Sequence, residues 1–105
     1  MSRVVKPISL KADEHQLLLE AAADVGITLK ELVESIILLF MATVKRGDPV
    51  KFRVPQKVHA PKPYAISRDI VVQVKQISEQ HGVSQVNFIY SAMMWHLSSK
   101  NGVSA

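Results

Sequence analysis

Residues 6–35, KPISLKADEHQLLLEAAADVGITLKELVES, decide the fold, because residues 62–91, KPYAISRDIVVQVKQISEQHGVSQVNFIYS, repeat the same pattern. A shift of 56 positions, the separation in sequence of Gly26 and Gly82, brings the two stretches into step. Lysine, proline, aspartate, glycine and serine then coincide, and apolar residues meet apolar residues at several other positions. A repeat of this size indicates one structural unit that the chain uses twice.

Each copy is expected to form a strand, a helix, a tight break and a second helix. In the first copy, weak alternation over 3–11 predicts a half-buried strand, and apolar spacing predicts helices over 13–25 and 29–45. Gly26 should end the first helix, because glycine tolerates the left-handed conformation common at helix C-termini. Thr28, followed by a glutamate three residues later, forms a capping box that should start the second helix.

The second copy predicts the same elements. Tyr64 and Ile66 should face inward from its strand, since side chains alternate between the two faces of a strand. Asp69 should open the first helix of this copy, and Ser84 should cap the second. After the last helix, residues 98–105 are expected to be a short polar tail.

A proline-containing linker over 47–61 separates the copies. Strict alternation over 50–54 would allow a short additional edge strand. The net charge of +4 is concentrated around this linker, where the basic residues of 46–68 are opposed by Asp48 alone. These basic residues are Arg46, Lys51, Arg53, Lys57, Lys62 and Arg68. They could contact phosphates or simply keep the linker solvated, and the sequence leaves both interpretations open.

Composition narrows the class of protein. A chain of 105 residues with 48% hydrophobic residues can build one small core and is not disordered by composition. It has no cysteine, which fits a cytoplasmic location. No secretion signal is visible, and the longest apolar run, 36–44, is far below the roughly 20 residues that span a bilayer. We therefore expect no membrane association.

Catalysis is not expected. The four histidines are scattered without paired ligand spacing, and no nucleophile, base and orienting acid recur together. No glycine-rich phosphate loop is present either. The sequence therefore predicts neither an enzyme nor a bound metal or cofactor.

Neither copy can bury its own apolar face, since a lone strand has no partner and the second helix of the first copy is apolar nearly all round. The two copies together solve this problem. We expect the strands to pair antiparallel across a pseudo-twofold axis, with four helices interlocked beneath the ribbon. The predicted fold is mainly α with a two-stranded ribbon, in which repeats 1–46 and 62–105 pack as one domain around the linker.

The residues that carry this pattern resemble a known family. Ile8-Ser9-Leu10-Lys11, the spacing over 10–26 and the break at 26–30 are similar to ribbon-helix-helix DNA-binding proteins of the Arc/MetJ/CopG type. The stretch 66–82 shows the same spacing, followed by the same break. The duplication in one chain resembles the tandem, pseudo-dimeric members, such as conjugation accessory proteins of the TraY type.

The resemblance implies a binding mode on double-stranded DNA. The ribbon would enter the major groove, where outward strand side chains read base edges, and each second-helix N-terminus would hold a phosphate. Outward positions that cannot read bases are Pro7, Pro63 and Ala65. The residues implied at DNA are Ser9, Lys11 and Ser67 on the ribbon, Thr28, Leu29, Lys30, Ser84 and Gln85 at the helix N-termini, and the basic residues Arg3, Lys62 and Arg68.

Two functions of different classes follow. The first is a DNA-binding transcriptional regulator or plasmid and conjugation accessory factor. The second is a protein-interaction module that kept the fold and lost sequence-specific DNA reading. An antitoxin is disfavoured, since such proteins add a long disordered tail. Apolar surface on Leu38, Leu39, Met94 and Trp95 also predicts self-association, as a twofold dimer.

Overall fold

A computed structural model describes residues 3–56 and 60–101, without the side chains of 99–101. The described part is mainly helical with one two-stranded antiparallel sheet, as the sequence predicted. In chain order, the elements are β1 (Arg3–Ser9), α1 (Ala12–Asp24), α2 (Leu29–Lys45), β2 (Pro61–Ser67), α3 (Arg68–Gln80) and α4 (Gln85–Asn101).

The breaks between paired helices form as the glycines and caps dictate. Gly26 and Gly82 adopt positive φ angles of 72° and 68°, where a side chain would be strained. In the first break, the Ile27 N–H donates to the carbonyl of Ala22 at 3.0 Å, which satisfies an end carbonyl of α1. The two breaks therefore turn the chain in the same way.

Polar caps start the second helix of each half. The Thr28 hydroxyl accepts from the Glu31 N–H at 3.1 Å, and the Glu31 carboxylate accepts from the Thr28 N–H at 2.9 Å. The Ser84 hydroxyl accepts from the Asn87 N–H at 3.0 Å. The predicted capping box and the predicted serine cap are both confirmed.

The strands β1 and β2 pair with each other, and Pro7 lies opposite Pro63. The predicted inward residues are buried: they are Ile8, Leu10, Tyr64 and Ile66. Pro61 has the same parity in the ladder as Pro63. Because proline has no N–H, this register leaves the missing donors at the free outer edges of the ribbon, where no partner strand needs them.

One hydrophobic core joins both halves of the chain. Phe40 of α2 and Phe88 of α4 are fully buried, with ring centroids 5.2 Å apart. Ile8 and Ile66 of the ribbon are also fully buried in this core. The ribbon and the second helices therefore depend on each other for burial, which no single half could supply.

The additional strand over 50–54 does not form, since the segment has no regular secondary structure. Its side chains and backbone find other partners. Phe52 packs against Phe40 and Phe88, with centroid distances of 6.1 and 6.0 Å. The Arg53 N–H donates to the buried hydroxyl of Ser91 at 2.7 Å. Packing on the core and a hydrogen bond to a serine on α4 thus hold this segment without a neighbouring strand.

The predicted polar tail is wrong in its first part. The helix α4 continues through residues 98–101 to Asn101, because this stretch contains no proline or glycine before Gly102. The rest of the predicted tail, 102–105, lies outside the described residues. Within the described ranges, no helix is both long and apolar enough to cross a membrane.

Candidate nucleic-acid interface

The outward face of the ribbon is apolar at its centre and polar at its ends. Cross-strand neighbours at the centre are Val5 with Ala65 and Pro7 with Pro63. Val5 is 59% exposed, so this apolar surface is open to solvent. The end pairs are Arg3 with Ser67 and Ser9 with Pro61. The ribbon therefore offers apolar contact at its middle and hydrogen-bonding groups only near its ends.

At one end of the ribbon, a carboxylate holds two of the predicted residues. Glu34 of α2 accepts from the Arg3 guanidinium at 2.7 Å and from the Ser67 N–H at 2.7 Å through the same oxygen. The Glu34 side chain is 18% exposed, so the pair is partly shielded from solvent. Sequence reasoning missed Glu34. No clear local signal marked it, since α2 carries another acid, Glu31, one turn earlier.

At the other end, Lys11 lies outside the strand. It was predicted on the outward ribbon face, but β1 ends at Ser9 and Lys11 takes the N-cap position of α1. Its N–H donates to the Glu14 carboxylate at 3.0 Å, which favours starting the helix here. Lys11 is exposed, as expected. It shares a cleft with Ser9 rather than the strand face.

Cations and hydroxyls line that cleft, which has a volume of about 210 Å³. Arg53 reaches it from the linker, and Tyr90 reaches it from α4. Burial and the Glu14 carboxylate raise the pKa of Tyr90, while Arg53 acts in the opposite direction. The Tyr90 hydroxyl therefore keeps its proton near neutral pH and can donate it to a ligand. Sequence reasoning did not assign Tyr90 to a binding site.

At the N-termini of α2 and α4, most of the predicted side chains are engaged or partly buried, so backbone N–H groups are the main donors for a phosphate. Thr28 and Ser84 are engaged as caps. Leu29 packs partly buried against the core, and the side-chain oxygen of Gln85 is buried. Only Lys30 extends an exposed charged side chain from these positions. The predicted phosphate contacts of Leu29 and Gln85 would therefore have to come from backbone N–H groups.

The remaining basic residues that the structure describes lie on different surfaces of the protein and not together on the outward face of the ribbon. Lys62 occupies an inward ribbon position opposite Ile8 and is partly buried, so it does not lie on the outward face. Arg68 is exposed at the start of α3. At the end of α2, Arg46 forms an ion pair with Asp48 of the linker at 2.9 Å. Besides Lys51 and Arg53, the linker has a third cation, at position 57, which lies outside the described residues.

A separate apolar stripe lies on α2. Leu38 and Leu39 are 43% and 58% exposed, which fits the predicted self-association surface. Met94 was predicted on the same kind of surface, but it is only 6% exposed. Trp95 is partly buried and lies 5.5 Å from Phe40, centroid to centroid. The exposed stripe is therefore confined to α2, because α4 turns these residues toward the protein.

Comparison with known proteins adds no assignment. No protein-family model matches the chain, and no curated protein is similar to it in sequence. Among the residues that the structure describes, no three acidic, histidine or cysteine side chains come together in a way that could hold a metal ion.

Proposed function

We propose that this chain is a DNA-binding protein built from tandem ribbon-helix-helix repeats folded as an intramolecular pseudo-dimer. The strand register supports the twofold relation. Pro7 pairs with Pro63, which is its own counterpart in the repeat. Lys6 pairs with Tyr64, the counterpart of Ile8 in the repeat. Ile8 pairs with Lys62, the counterpart of Lys6. A twofold axis through the proline pair would produce this register.

In this proposal, the ribbon enters the major groove and the second-helix N-termini hold phosphates on either side. Ser9 and Ser67 are near opposite ends of the ribbon, where they could reach base edges or the sugar-phosphate backbone. Val5 and the central prolines could make apolar contacts only, such as contact with a thymine methyl group. Phosphate contacts therefore supply most of the affinity, and the chain acts as a regulator or a plasmid and conjugation accessory factor.

One observation favours the second candidate function, a protein-interaction module. The outward ribbon centre, Val5 with Ala65 and Pro7 with Pro63, is apolar and contains none of the long polar side chains that read bases. Such a surface suits another protein as well as it suits a DNA groove. Measurement of DNA binding separates the two functions.

Fluorescence anisotropy with a random-sequence duplex tests the proposal. Affinity should fall steeply between roughly 50 mM and 200 mM salt, since each phosphate contact releases counterions. Lys30→Ala should weaken binding to all sequences about equally. The control is Lys75→Ala, which removes an exposed charge of α3 outside the proposed interface. Absence of duplex binding at the lower salt would contradict the DNA-binding proposal and leave the interaction module as the remaining candidate.

Lys11 tests the ribbon end directly. Its side chain is exposed, so Lys11→Ala should change the stability by no more than about 0.5 kcal/mol. If Lys11 reaches a base, its loss should cost about 1–3 kcal/mol of binding and relax the preference at one position. DNA binding equal to that of the parent would show that Lys11 does not contact DNA.

We also propose that two chains associate through the α2 stripe. The counterparts of Leu38 and Leu39 in α4 are Met94 and Trp95, which the protein covers, whereas the α2 residues stay exposed. Leu39→Lys should abolish association, because it places a charge in the contact. Light scattering that finds only monomer for the parent chain at high concentration would remove this proposal.

A further inference from the structure

The cleft beside the C-terminal end of β1 has the chemistry of an anion site. Two cations, Lys11 and Arg53, line it together with the hydroxyl-bearing residues Ser9 and Tyr90. Its one carboxylate, Glu14, already accepts the Lys11 N–H at 3.0 Å. The two cations therefore outnumber the single carboxylate.

The linker holds the Arg53 backbone in place at this cleft. The Arg53 N–H donates to the Ser91 hydroxyl at 2.7 Å, and that hydroxyl lies 2.7 Å from the Asn87 carbonyl of α4. The neighbouring Phe52 packs on Phe40 and Phe88. Because the backbone on which Arg53 stands is fixed, less conformational freedom is lost when its guanidinium binds a ligand.

The equivalent position in the other half of the chain holds a carboxylate. Glu34 is the sequence counterpart of Tyr90, and Ser67 is the counterpart of Lys11. There, the Glu34 carboxylate accepts from Arg3 and from the Ser67 N–H, both at 2.7 Å. An internal anion thus meets converging donors at that end. The cleft also has an internal carboxylate, Glu14, but Tyr90 brings no second negative charge. The two cations of the cleft therefore face one carboxylate and can bind an anion from outside the protein.

The size and geometry of the cleft restrict the class of ligand that it can bind. The volume of about 210 Å³ is below the roughly 300 Å³ at which pockets for drug-sized ligands begin. A planar carboxylate has two oxygens, whereas a phosphate presents oxygens in several directions. Donors from β1, the start of α1, the linker and α4 surround this cleft, which suits the phosphate better.

We propose that this cleft binds a phosphate group, held by Lys11 and Arg53 and by the hydroxyls of Ser9 and Tyr90. The site does not depend on the second-helix N-termini. It also does not require the chain to bind DNA. The phosphate comes either from a nucleic-acid backbone beside the ribbon or from free phosphate or a phosphate monoester.

The test is a nuclear magnetic resonance titration of the full chain with inorganic phosphate at constant ionic strength. We expect saturable amide shifts at Lys11 and Arg53, with acetate giving much smaller ones. Arg53→Gln should weaken phosphate binding about tenfold, as the loss of a charged hydrogen bond implies. The matched control is Lys51→Gln, which removes an equal charge from the same linker but lines only the neighbouring cleft. Equal weakening by both variants would overturn the proposal.

Two further variants separate this site from general charge attraction. Tyr90→Phe removes only a hydroxyl and should weaken phosphate binding severalfold without changing the net charge. Glu14→Gln keeps an oxygen to accept the Lys11 N–H and removes the opposing charge, so it should tighten binding. Absence of saturable shifts in the parent chain, or no change in Tyr90→Phe, would also contradict the proposal.

A duplex added to the phosphate-loaded chain identifies the source. Displacement of phosphate would show that the cleft takes a backbone phosphate of DNA. Retention of phosphate would show that it serves a free phosphate or a monoester. Saturable phosphate binding without duplex binding would contradict the proposed DNA function and leave the phosphate site standing. Duplex binding without amide shifts on addition of phosphate would contradict the phosphate site and leave the proposed DNA function standing.

Discussion

A single carboxylate, Glu34, joins the strand ends to the second helix. It accepts two hydrogen bonds through one oxygen, from Arg3 of β1 and from the N–H of Ser67. In the first half, Glu14 satisfies the equivalent N–H locally. The second half has Ile70 at that position, so the acceptor must come from another element. The N–H groups of Lys11 and Ser67 thus find a carboxylate acceptor in two different ways.

Glu34→Ala should lower the free energy of unfolding by about 1–2 kcal/mol, because it leaves a partly buried N–H and a guanidinium without their acceptor. Glu34→Gln should cost less, since its amide oxygen can still accept one bond. Urea denaturation measures both. The control is Glu20→Ala, which removes an exposed acid of α1 and should change stability by under about 0.5 kcal/mol. Equal effects at Glu34 and Glu20 would contradict the role given to Glu34.

His15 gives stability a pH dependence. Its Nδ1 lies 2.6 Å from the Tyr64 hydroxyl, and burial followed by the Lys62 charge lowers the pKa of His15. Burial raises the pKa of Tyr64 to about 12, so that hydroxyl stays neutral. Because the folded chain resists protonation of His15 more than the unfolded chain does, this contribution is full above the unfolded pKa of about 6.5. It is lost as the pH falls through the lower folded pKa.

The thermal midpoint should therefore drop between roughly pH 7.5 and pH 5.5, a window that spans the ordinary histidine pKa. His15→Gln should show a smaller drop, because it can still bond the Tyr64 hydroxyl without titrating. His81→Gln is the control, since His81 is exposed. If His15→Gln kept the full pH dependence of the parent, His15 would not be the group responsible.

At the scale of elements, the linker is a structural segment and more than a connection. Phe52 covers the end of the aromatic cluster formed by Phe40 and Phe88. Phe52→Ala should lower the free energy of unfolding by about 2 kcal/mol, which is below the usual range for a fully buried phenylalanine because Phe52 is partly buried. Chemical denaturation checks this value. Val54→Ala, at a residue 69% exposed, should have almost no effect.

Local signals were enough to predict most of the elements. The capping box at Thr28 fixed the start of α2 at Leu29, because the residues that form it are close in sequence. The alternation at 50–54 suggested a strand that does not form, because strand formation depends on residues far away in sequence. Whether such a segment becomes a strand depends on a free partner edge, and here the segment binds Ser91 and the aromatic cluster instead.

The candidate site was less predictable than the elements. Residue types identified Lys11 as exposed, but its position relative to the strand depended on where β1 ends. The cleft depends on Arg53 and Tyr90, which are far apart in sequence and meet only through packing of the linker on α4. Lys62 faces inward because the ribbon register places it opposite Ile8. Long-range contacts of this kind leave no local pattern.

At the scale of the whole molecule, the two halves share one core, so neither should be stable alone. A fragment of residues 1–47 keeps β1, α1 and α2 but loses the partner strand and the ring of Phe88 against Phe40. Its apolar α2 face would then meet water on more than one side. The fragment should therefore unfold or associate with itself, as circular dichroism and light scattering would show.

Complementation of two fragments tests whether the halves depend on each other. Mixed with a fragment of residues 48–105, the first fragment should recover helical structure and form a one-to-one complex. The second fragment supplies β2 and α4, which contribute the fully buried Ile66 and Phe88 to the shared core. A fragment 1–47 that stayed folded, soluble and monomeric by itself would mean that burial between the halves does not hold the molecule together.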